Sequence, residues 1–491
     1  MAESGARRVA VVAGGIAGLA TAVNLLDRAA AAGLDLHVTV FEKGADPGGN
    51  LQTLREGPWQ LEWGPNGFLD SEPATLRLAT RLGLDDALLP SSDATRHRFL
   101  LVDGRLQEIP TSPKAFLKSK LMSPGAKLRL AGELFVPRRR DLGRAAEDPT
   151  TDETVDAFGR RRLGPAFAEI MLDPMVKGVF GGNSRQLSLA AAFPRMVELE
   201  RNHGGLFKAM AALARKRRRE GKAGTDAGPS GKLTSFQGGM GQLIDGLVAA
   251  LANDPRAELR TGAAVSRVTW AGGAWHVAGH DFDMGPFDAV VNAAPAHAAA
   301  VQLREVSPVL HENLVRIPFA AMAVIALGFD RAAVKHDLQG FGVLIPSREQ
   351  RELLGVLWTS SIFPRRAPEG KVLLRCMAGG ADNPGVLELD DEALMGVTLS
   401  ELRPLLGIKG APEMVRIIRH RRAIAQYVPG HLARLAAIDR ELARHPGLFL
   451  TGASYRGIAV NSCCKEAEAV ADRVVAHLAG SAGGASREAV S

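Results

Sequence analysis

The stretch Val9-Ala-Val-Val-Ala-Gly-Gly-Ile-Ala-Gly18 decides the fold. Its β-branched valines favour a strand, and the residues from Ala17 to Ala32 carry apolar side chains at helical spacing. Between strand and helix stand Gly14, Gly15 and Gly18. Glycines at such a turn let a pyrophosphate approach the backbone N–H groups at a helix N-terminus, where the helix dipole favours negative charge. Gly15 and Gly18 take the second and third places of a dinucleotide fingerprint, while Ala13 takes the first, where glycine is the rule. That exchange costs on the order of 1 kcal/mol if the position needs a positive φ, and Gly14 is expected to absorb the turn instead. The same valines open 18 uncharged residues, Val9 to Leu26, the outline of a signal peptide or spanning helix. A strand, turn and helix account for the glycines, and a spanning segment does not. The next apolar run, Ile317 to Phe329, has 13 residues and is too short to span.

Working outward, His37 to Phe41 supplies a second strand that ends at Glu42. A carboxylate there can accept hydrogen bonds from both ribose hydroxyls of an adenosine and would repel a 2′-phosphate. Asp46-Pro-Gly-Gly-Asn50 brings a second glycine pair. Pro73 and Gly83 bracket a helix, and Phe99 to Val102 and Arg105 to Ile109 form a hairpin about Asp103-Gly104. Residues 113 to 222 carry helical spacing, little β signal and many Lys and Arg, and Lys222 to Lys232 reads as a flexible loop. Strands return at Ala263 to Trp270 and Ala289 to Asn292, and Gly447 to Leu478 reads strand, glycine turn, helix. Residues 1 to 8 and 479 to 491 read as frayed tails.

With 491 residues, 46% hydrophobic and 23% charged, the composition is that of a globular enzyme of two or three domains. Three cysteines, Cys376, Cys463 and Cys464, two of them adjacent, do not make a disulfide framework and suit a reducing, cytoplasmic setting. There is no CxxC, HExxH or His/Cys cluster, so no metal is expected. The balance of 60 Lys+Arg against 53 Asp+Glu, a net +7, suits nucleic acid, an anionic membrane face or an acidic small molecule. No nucleic-acid module is present, and basic residues gather at Arg138 to Arg140 and Lys216 to Arg219.

Glu42, Gly48-Gly49 and Glu62-Trp-Gly-Pro-Asn-Gly-Phe68 resemble the FAD-binding half of glutathione-reductase-type flavoproteins, in particular the amine oxidase and protoporphyrinogen oxidase superfamily. Arg98-Phe-Leu, Gly178-Val-Phe-Gly-Gly182, Ser235-Phe-Gln-Gly-Gly-Met240, Gly340-Phe-Gly-Val-Leu344, Gln426-Tyr427 with Gly430-His431, and Tyr455-Arg-Gly-Ile-Ala-Val-Asn461 are similar, in the same order, to the oxygen-dependent protoporphyrinogen oxidases. The resemblance runs from residue 9 to about 475. It implies an α/β fold: a Rossmann-like FAD-binding domain from residues 1–90, 232–300 and 437–478, a mixed α/β substrate domain from 91–112 and 301–436, a helical, membrane-associating lobe over 113–231, and a tail at 479–491.

The resemblance further implies FAD held by Gly14, Gly15, Gly18, Glu42, Lys43, Gly49, Gly64, Asn66, Val265, Ala459 and Val460. The substrate would be a porphyrinogen between Leu344, Leu357 and Met377, with Gly178 leaving room for the ring, Arg98 pairing with a propionate and Asn66 positioning it. Taken alone, each wall residue is an ordinary core side chain. The implied reaction takes protoporphyrinogen IX to protoporphyrin IX with O2 as acceptor and H2O2 as by-product. Hydride passes from a methylene bridge to flavin N5, so no catalytic triad or general base is assigned. Coproporphyrinogen III, with four propionates, is the rival substrate, which a cationic rim richer than Arg98 alone would favour. Two further readings compete with this one: a degenerate binding protein, motivated by Ala13 and by His420 where relatives often have Trp, and a carotenoid desaturase. Two tyrosines, Tyr427 and Tyr455, provision an amine-binding aromatic cage poorly. The mixed apolar and basic stretches Lys114 to Met122 and Leu206 to Arg219 suit an anionic membrane face, and a homodimer is left open.

Overall fold

The structure, a computed structural model, describes residues 6–219 and 231–488. The opening valines form the strand Arg7–Val12, followed by the helix Ile16–Ala31. That strand is the centre of a five-stranded parallel sheet ordered Ala257–Arg260, Leu36–Phe41, Arg7–Val12, Ala289–Asn292, Leu448–Leu450. Val9, Ala10, Val11 and Val12 are all buried, because helices or a small sheet cover both faces, and a doubly covered parallel strand is apolar on both sides. On one face, Ala20 and Val23 of the first helix share a core with Cys464, Ala467 and Val470 of the last, Val460–Glu488.

A second sheet has seven strands, ordered Met414–Ala425, Phe319–Asp330, Lys371–Gly380, Leu353–Leu357, Gly342–Leu344, Phe99–Val102, Arg105–Glu108. All its pairings are antiparallel except that between Gly342–Leu344 and Phe99–Val102. One face buries Ile325, Leu327, Leu374 and Cys376 against Leu394, Leu402 and Leu406 of the helix Asp391–Leu406. The opposite face packs Val324, Ala326 and Leu373 on Trp59 and Leu61 of the strand Trp59–Glu62. Side chains alternate along a strand, so Arg375 and Met377 continue the face begun by Leu373, beyond the cover of that strand.

From residue 113 to 219 the described elements are helical, joined by the single bridge Thr154 to Ser188. Their core holds charge: Arg162, Glu133 and Glu200 are fully buried. Arg162 Nε donates to Glu133 Oε1 at 2.8 Å and Nη1 to Glu200 Oε1 at 3.1 Å. Glu133 also accepts the N–H groups of Leu206 and Phe207, closing the start of the helix Leu206–Arg219.

Three local expectations change. The strand expected over Ala263 to Trp270 is Arg267–Ala271, because Ala263 N–H is taken by Glu42 O at 2.8 Å and leaves the chain in a turn. The expected tail from 479 is helical as far as Glu488, with no proline to stop it, and the first strand starts inside the expected N-terminal tail. The loop expected over 222 to 232 lies, up to residue 230, outside the described residues. The three cysteines are free and buried. Among the described residues no helix is long and apolar enough to cross a membrane, and no group of three His, Cys, Asp or Glu could hold a metal.

Candidate active site

The glycine turn is strained at its first position. Ala13 itself adopts φ +81°, and Gly14 does not relieve it, contrary to expectation. The reason is Glu42: a Cβ on Gly14 would stand 2.9 Å from Glu42 Cβ, and Gly14 N–H donates to Glu42 Oε2 at 2.8 Å, so Gly14 serves close approach. Gly18 serves packing, since a Cβ there would lie 2.0 Å from Ala13 O. Gly48 N–H donates to Gly14 O at 2.7 Å, which lays the second glycine turn on the first, and Gly49 meets Gly15. Gly15 caps the first helix without a side-chain hydrogen bond, the first turn has no acidic residue, and a Cβ on Gly15 would meet nothing within 4 Å. Uncapped N–H groups facing open space make an anion site.

Glu42 is buried, and Gly44 N–H donates to its Oε1 at 2.8 Å. One lone pair per oxygen remains for a ligand. Lys43 is exposed beside it, and Val265 lies two residues beyond Ala263, which bonds Glu42 O.

Opposite lies the turn Gly64-Pro-Asn66. Gly64 admits no side chain, because a Cβ would be 2.2 Å from Asn50 O. Both amide atoms of Asn66 are enclosed without a partner. A buried unpaired polar group costs about 1–3 kcal/mol, which a ligand bonded there would recover. The residues therefore fit a dinucleotide: the helix N-terminus would hold its pyrophosphate, and the Asn66 amide would offer it a hydrogen bond.

Two arginines without a motif to mark them support this turn. Arg375 Nη2 donates to Gly64 O at 2.5 Å, its Nε is enclosed without a partner, and burial pushes its pKa down to about 10. Arg366 is fully buried, with Nη2 3.4 Å from Glu62 Oε1. Glu62 accepts Thr53 Oγ1 at 2.8 Å and Met240 N–H; burial raises its pKa against the pull of Arg366. A sequence signal for Arg375 does exist: it is the lone charge in the apolar run Val372 to Gly380.

Both tyrosines shape the loop before the last helix. Tyr427 Oη donates to Ala453 O and accepts Gly457 N–H, each at 2.8 Å, which sets the approach to exposed Ala459 and buried Val460. His431 stacks on Tyr427 at 4.2 Å and donates from Nε2 to Tyr455 O at 2.9 Å. His420 donates to Trp63 O at 3.1 Å with its ring edge-on to Trp63, and burial lowers its pKa.

The uncovered sheet face brings the expected wall residues together. Across three strands Leu344 pairs with Gly355 and Gly355 with Met377; in the adjacent row Gly342 pairs with Leu357 and Leu357 with Arg375. Leu344, Leu357 and Met377 are half-buried where most neighbours are buried, and the glycines between them leave the surface flat. Gly178, on the helix Asp173–Phe180, has its missing side chain 2.7 Å from Leu344 Cδ2. Arg98 precedes Leu100, the partner of Leu344, by two residues. It is exposed, lies over the Phe341 ring at 5.2 Å and has no ion pair among the described residues; the protein around it displaces enough solvent to lower its pKa.

The chain matches the model of flavin containing amine oxidoreductases over residues 16–475. It is 28% identical to coproporphyrinogen III oxidase of Bacillus subtilis (strain 168), over 97% of this chain and 99% of that protein. It is 31% identical to the chloroplastic protoporphyrinogen oxidase of Oryza sativa subsp. japonica, over 95% and 88% respectively. A crystal structure from Exiguobacterium sp. 255-15, provisionally assigned as a protoporphyrinogen oxidase, is similar with a TM-score of 0.80 at 25% identity, covering 96% of this chain and 98% of that one. The match includes the uncapped helix, the Asn66 turn and most of the last helix, so the chain belongs to the flavin-containing amine oxidoreductases, and its cofactor is FAD.

Proposed function

We propose that this flavoenzyme oxidises a porphyrinogen to the porphyrin, in haem biosynthesis. The carrying observation is the flat, half-exposed apolar face of Leu344, Leu357 and Met377, with Gly178 against it and an unpaired arginine, Arg98, at its edge. A porphyrinogen is an apolar macrocycle with carboxylate arms, and it calls for such a wall and such a cation. The names of the Bacillus and Oryza relatives support the same substrate class.

Bound FAD supplies a two-electron acceptor. The protein's part is to hold the ring, with its carboxylate on the Arg98 fork, and to exclude water; Asn66 offers its amide where the two halves meet. In three turnovers the macrocycle gives up six electrons and six protons, and three O2 become three H2O2. Protoporphyrinogen IX is the substrate expected from the sequence; coproporphyrinogen III is the second reading, favoured by the name of the Bacillus relative. The holoenzyme incubated in air with each porphyrinogen should develop porphyrin fluorescence and stoichiometric H2O2. No fluorescence above the autoxidation rate with either would refute the reading.

A second observation supports peripheral binding to an anionic lipid surface. In the helical lobe Leu117, Leu128 and Phe135 are 66%, 76% and 87% exposed among Lys114, Lys118 and Lys120. Lys127, next to Leu128, donates to Leu117 O at 2.8 Å and ties the two apolar points together. Flotation with anionic liposomes should occur at low salt and fade at high salt. Absence of binding at low salt would overturn this.

A further inference from the structure

We propose that Lys177 is a second carboxylate-binding cation of the cleft, so that the substrate carries acidic arms on more than one side of the ring, as a tetracarboxylate such as coproporphyrinogen III does. This rests on the porphyrinogen reading. Lys177 lies in the helix Asp173–Phe180, directly before Gly178, and is only 8% exposed. It has no hydrogen bond or ion pair among the described residues, although its ammonium keeps contact with solvent. The acid on its own helix face, Asp173, is engaged elsewhere: Oδ2 accepts Ser347 N–H at 2.8 Å and Oδ1 accepts Ser347 Oγ at 3.0 Å.

A lysine packed this deeply normally meets a carboxylate at its ammonium. Here the fold supplies an opening. Gly178, the next residue, abuts Leu344, and Gly181, one turn on, would place a Cβ 2.6 Å from Met322 Cε, beside the strand that carries Met377. Lys177 thus sits on the helix that abuts Leu344 from the helical lobe, and Arg98 flanks Leu344 from the other side, through the strand Phe99–Val102. Two cations without an ion pair among the described residues stand on the elements that flank one flat wall. A single propionate edge requires one of them; carboxylates at separated positions on the macrocycle employ both.

The test uses the flavin-loaded enzyme with coproporphyrinogen III, protoporphyrinogen IX and the tetramethyl ester of coproporphyrinogen, together with equilibrium binding of coproporphyrin III read by fluorescence quenching. Lys177→Met should lower kcat/KM for coproporphyrinogen III about tenfold, mainly through KM, and weaken coproporphyrin III binding comparably, as the loss of one charge-assisted hydrogen bond. It should change protoporphyrinogen IX much less and the ester hardly at all. Lys177→Arg should stay within about threefold of wild type. An equal loss on the ester, an equal loss on both acids, or no loss while the wild type turns over would each overturn the assignment. If Lys177→Met yields no flavin-loaded protein, Lys177→Gln against Lys177→Arg makes the same comparison. Failure of the wild type to bind or oxidise either tetrapyrrole would instead remove the porphyrinogen reading, and this inference with it.

Discussion

The cofactor side of the cleft is built from backbone and the substrate side from side chains. Beside Gly15 the groups open to a ligand are the uncapped N–H groups that begin the first helix, while Glu42, through Gly14 and Gly44 N–H, and the Gly48 N–H bond to Gly14 O hold the two adjoining turns in place. Across the cleft the proposed substrate wall is made by Leu344, Leu357, Met377 and Arg98, on four different strands or their margins. A backbone site tolerates little variation in shape where a Cβ would intrude on a neighbouring carbonyl, as Gly18 and Gly64 show. A side-chain wall changes specificity by one residue without moving the chain.

If that contrast holds, the largest effect should come from the ion cluster that joins the sides. Glu62→Gln leaves Arg366 and Arg375 without a counter-charge and should cost about 3–5 kcal/mol in chemical unfolding. A loss below about 1 kcal/mol would mean that Glu62 is held protonated. His431 tests the loop before the last helix by pH. Its neutral ring donates from Nε2 to Tyr455 O, and burial lowers its pKa to about 4 from an ordinary 6.5. The unfolded chain therefore takes up the proton first, and the contribution, complete above about pH 6.5, declines as pH falls towards 4. The whole loss is about 3 kcal/mol, and His431→Gln should flatten that part of the pH–stability curve.

Glu42→Ala strips the partners from Gly14 and Gly44 N–H, which should cost about 2 kcal/mol and lower FAD retention on dialysis. Unchanged flavin content would remove Glu42 from the cofactor site. Arg98→Ala should leave flavin content intact and raise KM about tenfold; because Arg98 is exposed, the loss falls below the range for buried truncated charge pairs. Equal loss on an esterified porphyrinogen would show that carboxylate pairing is not its role. Smallest, Ala13→Gly should relieve the positive φ and add about 1 kcal/mol of stability with tighter flavin binding. A destabilised variant would show that the turn is not strained.

The backbone side was legible because its signals are local: a glycine pattern of a few residues and an acid at the end of the next strand. What local reading missed was the division of labour, since which residue takes the positive φ depends on Glu42, 28 positions away. The wall was reached only through resemblance, because Gly178, Leu344, Leu357 and Met377 meet through strand register and helix docking, which periodicity does not encode. Lys177 and Arg375 share a weaker signal, a lone basic residue inside an apolar element, which reads as ordinary until burial is known. The Arg162, Glu133 and Glu200 cluster gave none, as its members stand in an otherwise charged helical region.

The last helix closes the nucleotide half against the first, and that ordering has a consequence for synthesis. The apolar side of Ile16–Ala31 leaves the ribosome early, but its cover, Ala467 and Val470, is among the last parts made. Until then the first helix displays an uncovered greasy stripe, and the anion site at its tip belongs to an element that is not yet anchored. Flavin loading is therefore expected to wait for the last helix, and nascent chains halted before residue 460 are candidates for chaperone capture.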